Sequence, residues 1–110
     1  MEHLDYETLN TLKQVMEDDF ALLIDTFVQD STDRIATLRK VIQGSDADLI
    51  RRAAHSFKGS SSNVGALQLS ALCAALEKKA FENNLDGLVA DLDSIEQEFA
   101  QVLNLLRSFS

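Results

Sequence analysis

The chain has 110 residues, 45% of them hydrophobic and 25% charged, and a formal net charge of −8. That length allows one modest core, and that composition excludes a disordered chain. An excess of 18 acids over 10 bases sets the surface as a whole against nucleic acid and anionic membrane.

With no proline and four glycines, little stops a helix once it has started. Leu and Ala dominate, while Val, Ile and Thr are minor and scattered, which favours helices over a sheet. Cys73 is the only cysteine, so an intramolecular disulfide is excluded and a thiolate metal site is disfavoured. It lies in an apolar helical pattern, which predicts a buried, inert thiol. Met1-Glu2-His3 lacks the basic start of a signal peptide, and no stretch reaches the length of a membrane span. One cytoplasmic domain over residues 1–110 is expected.

A short first helix opens at Leu4-Asp5-Tyr6-Glu7 with Asp5 as its N-cap, and Leu9, Leu12, Val15 and Met16 make its apolar side. His3, near the chain start, is expected to be inert. Asp18-Asp19 mark a break and a new N-terminus, where acids suit the helix dipole. The second helix is predicted from about Asp18 to Gln43, on the period of Phe20, Ile24, Phe27, Val28, Ser31, Ile35, Leu38 and Ile42. Leu22 and Leu23 fall off that stripe. They pack under the first helix or belong to a partner surface, with packing the preferred use. Gly44 is expected to end the helix as a left-handed cap.

Ser45 or Asp46 caps the third helix, which ends near Asn63 with Gly65 as its exit. The fourth carries Leu67, Leu69, Leu72, Cys73, Leu76 and Ala80, with Phe81 closing the layer and Asn83-Asn84 turning the chain. The fifth carries Leu85, Leu88, Leu92, Ile95, Phe99, Val102, Leu103 and Leu106. Four long amphipathic helices joined by short turns predict an all-α fold. Its expected form is an up-down-up-down four-helix bundle, with the short N-terminal helix capping one end.

The third helix holds the candidate site. At about 100° per residue, Arg51, Arg52, Lys58, Gly59 and Ser62 fall within about 60° of His55. Ile50, Ala53, Phe57 and Val64 lie opposite, as the buried strip. Ser60 and Ser61 flank that strip; close helix contact, with back-bonding to the preceding turn, is preferred over a role as modification sites. From Arg51 to Ser62 there are three cations and no acid. A neutral imidazole attacks phosphorus well. The cations would disfavour the imidazolium and then offset the charge of an attached phosphoryl group. Gly59 costs a helix about 1 kcal/mol relative to alanine, and close approach of a partner would repay it. A lone surface histidine is usually a solvated side chain, as Arg51 and Arg52 taken singly are. It is the combination with Lys58 and Gly59 that points to chemistry. No P-loop, kinase-type glycine loop or acidic Mg²⁺ cluster accompanies the histidine, so neither ATP binding nor autokinase activity is expected. A partner must bring the phosphoryl group.

Ala54-His55-Ser56-Phe57-Lys58-Gly59-Ser60-Ser61-Ser62-Asn63-Val64-Gly65-Ala66 closely resembles the signature of histidine phosphotransfer (HPt) domains. Their order is A-H-x-x-K-G-[SA]-[SA]-x-x-[VLI]-G-[AL], followed by a leucine-glutamate pair, here Leu76-Glu77. The five-helix layout extends the likeness over the chain, whose size is similar to that of free-standing bacterial members. The resemblance implies that His55 is the phosphoacceptor of a phosphorelay. It would take the group from the receiver-domain aspartate of a hybrid sensor kinase and pass it to the receiver domain of a response regulator. It implies that the receiver supplies Mg²⁺, that the chain has no cofactor or metal of its own, and that Lys58 neutralises phosphate while Gly59 admits the partner. Arg51, Arg52, Ser62, Leu23 and Phe27 are the candidate partner-binding residues, and a monomer is expected. The rivals are a non-transferring adaptor of the same fold and, ranked last, a small hydrolase or metal protein using His3 and His55.

Overall fold

The computed structural model describes residues 2–109. α1 spans Tyr6–Met16, a 3₁₀ turn spans Glu17–Asp19, and α2 spans Phe20–Val41. α3 (Ala47–Asn63), α4 (Leu67–Phe81) and α5 (Leu88–Phe109) follow, with no strand among the described residues. α2 packs on α3, α3 on α4, α4 on α5 and α5 back on α2, which is the ring of a four-helix bundle. The α2–α3 face is therefore opposite the α4–α5 face.

Capping side chains start two of the helices. Asp5 accepts from the backbone N–H of Glu7 and Thr8, and its carboxyl is held below the usual range, first by the Thr8 hydroxyl. Asp46 caps α3, accepting from the backbone N–H of Asp48 and Leu49. α2 has no such cap: Asp19 makes no side-chain bond, and the 3₁₀ turn delays the helix to Phe20 rather than Asp18. Gly65, at φ 75°, turns the chain out of α3, and Asn83, at φ 57°, turns it out of α4.

Phe57, Leu38, Ile50, Leu76, Leu92 and Ile95 are buried at the centre. Each contributes about 1.5–3 kcal/mol by leaving water. Cys73 lies among them, and burial pushes its thiol up to about 12, as expected of an inert group. α1 lies over one end: Leu4 and Leu9 are buried there, and the Asp5 N–H donates to Gly65 O at 2.8 Å. Tyr6 and Phe20 both meet Phe109 there, at ring separations of 6.0 and 5.9 Å. A Cβ on Gly65 would come within 3.2 Å of Asp5 and Thr8, so this cap also needs the bare α-carbon.

Several expectations fail. Val15, Leu22 and Phe81 are 75%, 65% and 77% exposed, because no element covers those sides of α1, α2 and α4. Gly44 is not left-handed. The last turn of α2 closes instead by Gln43 N–H to Lys40 O and Gly44 N–H to Val41 O. Leu85 is half-buried but precedes α5. Along α3 Ile50, Phe57 and the C-cap residue Val64 are buried as expected, but Ala53 is only half-buried, and Ala54 and Ser61 are buried in its stead. The strip thus extends towards the side of Ala54 and Ser61. α4 makes this difference, since it packs close on the side where Ala54 and Ser61 are small. Ser61 Oγ has no hydrogen-bond partner, so it does not bond the preceding turn. His3 is not inert: its Nδ1 lies 2.7 and 2.9 Å from the carboxylate oxygens of Glu98, an α5 side chain only 6% exposed.

Candidate functional site

His55 lies at the middle of α3, with 64% of its side chain exposed. The helix buries Ile50, Ala54, Phe57 and Ser61, and this fixes the imidazole on the outer face. Gly59 is one turn further along. A Cβ built there meets nothing within 4 Å, so internal packing does not require glycine at this position.

The face is not free of acid. Glu77 of α4 places Oε2 2.8 Å from His55 Nδ1 and Oε1 2.6 Å from Lys58 Nζ. The Lys58 ammonium, and after it the hydrogen bond from the His55 ring, holds the Glu77 carboxyl below the usual carboxylate range; burial opposes both. Glu77 is thus ionised near neutral pH and can only accept. The Nδ1 facing it therefore carries a proton, and in the neutral ring the lone pair is on Nε2.

The other cations are turned away from the imidazole. Arg51 Nη2 meets Asp48 Oδ1 and Arg52 Nε meets Asp48 Oδ2, each at 2.9 Å. The Arg51 hydrogen bond is the first cause of a lowered Asp48 carboxyl. The predicted concentration of positive charge around His55 is accordingly reduced, because Arg51 and Arg52 share the one Asp48 carboxylate. Asp48 lies three and four residues before the arginines, a spacing at which side chains meet on a helix.

Ser62 is exposed, but its Oγ is 2.7 Å from Ser70 Oγ, and Ser70 donates to Lys58 O at 3.3 Å. A hydroxyl has one proton, so Ser62 is the donor to Ser70. Its hydroxyl ties α3 to α4 instead of being free for a partner. On the other flank, α2 and α3 enclose a trough beside Ser56. This trough, of about 390 Å³, is lined by Leu23, Phe27, Val64, Asp30, Arg34 and Ser56 among others. Leu23 is half-buried at this trough. Phe27 is buried, its ring edge-on to Phe99 at 6.4 Å, and so it forms floor rather than an exposed contact. Arg34, which the periodicity did not single out, donates from Nη1 to Ser56 Oγ.

No group of three or more His, Cys, Asp or Glu that could hold a metal ion occurs among the described residues. None of their helices is long and apolar enough to cross a membrane.

A family model described as the Hpt domain matches residues 22–105. The chain is similar to the crystal structure of histidine-containing phosphotransfer protein B (HptB) from Pseudomonas aeruginosa PAO1. The two are 43% identical, with a TM-score of 0.93 over 96% of this chain and 92% of that one. It is also similar to the phosphotransfer protein MtHPt2 from Medicago truncatula, at 25% identity and TM-score 0.84 over 96% of this chain and 76% of that one. With ZmHP2 from maize it shares the fold, at 24% identity and TM-score 0.86 over 97% and 88% of the two chains. No curated protein sequence matches.

Proposed function

The chain belongs to the Hpt domain family of phosphocarriers, and on that premise we propose that His55 carries a phosphoryl group between the aspartates of two receiver domains. One receiver belongs to a hybrid sensor kinase and the other to a response regulator. The observation that carries this reading is the Glu77 contact, which keeps the proton on Nδ1 and leaves Nε2 as the nucleophile.

In the forward step the Nε2 lone pair attacks the phosphorus of the receiver's phosphoaspartate. The P–O bond breaks, its electron pair stays with the aspartate, and an N–P bond forms. Positive charge then develops on the ring, and the Glu77 carboxylate accepting from Nδ1–H stabilises it as it appears. Lys58 holds the far oxygen of the same carboxylate, and its ammonium would meet the phosphoryl oxygens. The receiver brings the Mg²⁺ that offsets charge on the transferring group. In the second step the acceptor aspartate attacks phosphorus and the N–P electron pair returns to Nε2. Gly59 leaves the approach one turn away uncrowded.

The test is to mix the protein with a receiver domain labelled on its aspartate. Label should appear on the wild type, be lost in mild acid and be absent from His55→Gln. Label that persists in His55→Gln, or that resists acid as a phosphoserine does, would sink the proposal.

A further inference from the structure

Asp30 and Arg34 stand four residues apart on α2, the spacing at which an acid followed by a base usually pairs. They do not pair. Among the described residues Arg34 has no carboxylate partner; its Nη1 donates across the seam to Ser56, and its Nε is buried without a partner. Asp30 is exposed and likewise makes no ion pair. A half-buried guanidinium without an anion is an unfavourable arrangement, and it sits beside the residue that follows His55.

A second hollow adjoins the trough, sharing Arg34 and Ser56 as lining. Below the Arg34–Ser56 bridge this hollow, of about 360 Å³, is lined by Asp33, Thr37, Arg52 and Ala53. Above the bridge the floor is Leu23, Phe27 and Val64, with Asp30 on the rim. Arg52 is paired with Asp48, a carboxylate it shares with Arg51. Among the described residues the hollows therefore offer an apolar floor, a cation with no carboxylate partner in Arg34, and the acids Asp30 and Asp33 without an ion pair.

We propose that Asp30 and Arg34 select the receiver domain that docks on this trough: the partner seats an apolar side chain on Leu23, Phe27 and Val64, sets a cation against Asp30 and sets a carboxylate against Arg34. Charge complementarity names this occupant, because a purely apolar partner would leave both charges desolvated and unpaired. The inference rests on the phosphocarrier reading of His55.

The experiment uses every receiver domain encoded in the source genome, each phosphorylated with acetyl phosphate. Labelling of the wild type, Asp30→Lys and Arg34→Glu by each receiver is divided by labelling with phosphoramidate, which needs no docking. For receivers that label the wild type, the ratio should fall about tenfold in each reversal at about 50 mM salt. The deficit should shrink at about 300 mM salt. An unchanged ratio in Asp30→Lys, an exposed position whose side chain makes no hydrogen bond or ion pair among the described residues, overturns the proposal even if Arg34→Glu folds poorly. If phosphoramidate labels His55 but the ratios do not move, only the selection fails. If nothing labels His55 in the wild type, the carrier reading fails and the selection falls with it.

Discussion

Glu77 Oε2 lies 2.8 Å from His55 Nδ1 while its other oxygen lies 2.6 Å from Lys58 Nζ, so one carboxylate from α4 links these two side chains of α3. A histidine on an isolated helix would rotate freely and exchange tautomers. Here the neighbouring helix fixes which nitrogen faces solvent.

Replacing Glu77 should therefore act on chemistry before stability. Glu77→Ala is expected to slow phosphoramidate labelling about tenfold, because both tautomers then become populated and the charged ring loses its acceptor. Glu77→Gln should fall between, since its carbonyl still accepts but carries no charge. Nitrogen NMR of the ring supplies the check: Nδ1–H in the wild type, a mixture in Glu77→Ala. An unchanged tautomer would refute the assignment.

Lys58→Ala should slow transfer from a receiver about tenfold. Its effect on stability should stay within about 1 kcal/mol, as for a solvent-accessible ion pair. A large drop in Tm with normal transfer would mean that the Lys58–Glu77 contact is structural.

Gly59 predicts opposite signs for stability and docking. Since a Cβ there meets nothing, Gly59→Ala should stabilise the protein by up to about 1 kcal/mol. Gly59→Gln should keep the helix and impair transfer from receivers. Normal docking of Gly59→Gln would show that no partner comes close to this turn.

Ser61 is wholly buried with an unpartnered hydroxyl. Ser61→Ala keeps the volume and removes the desolvated group, so a gain of about 1 kcal/mol in urea denaturation is expected. A loss instead would reveal a hydrogen bond or water that the hydroxyl serves.

Acid should undo the Glu77 link. The folded protein binds the Glu77 proton more weakly than the unfolded chain, whose value is near 4.5. Its stabilising contribution is thus complete above that value and is lost as pH falls through the lower folded one. The Tm difference between wild type and Glu77→Gln should narrow as pH falls below about 4.5. A constant difference would show that the contact carries no charge.

The bundle was legible because the stripes on α2 and α5 keep a clean helical period and no proline interrupts them. Asp5 was readable as a cap by chemistry alone; for α3 the sequence left Ser45 and Asp46 open, and the fold chose Asp46. Val15, Leu22 and Phe81 misled because periodicity assigns a side, and only the neighbouring elements decide whether that side is covered. At the site, the pairing of Arg51 and Arg52 with Asp48 was readable from their separation along one helix. Glu77 was not, because it is 22 residues from His55 and meets it only when α4 folds back along α3. Arg34 likewise reaches Ser56 across 22 residues, a separation that no local pattern encodes.

The grip of Glu98 on His3 has a practical corollary for anyone building a sensor from this protein. It pins the start of the described chain to α5, at the rim of a groove between α4 and α5. That wall faces away from α2 and α3. A tether joined ahead of His3 would leave the α2–α3 trough on the side away from the support, so a chip made that way is expected to keep that trough open to solvent.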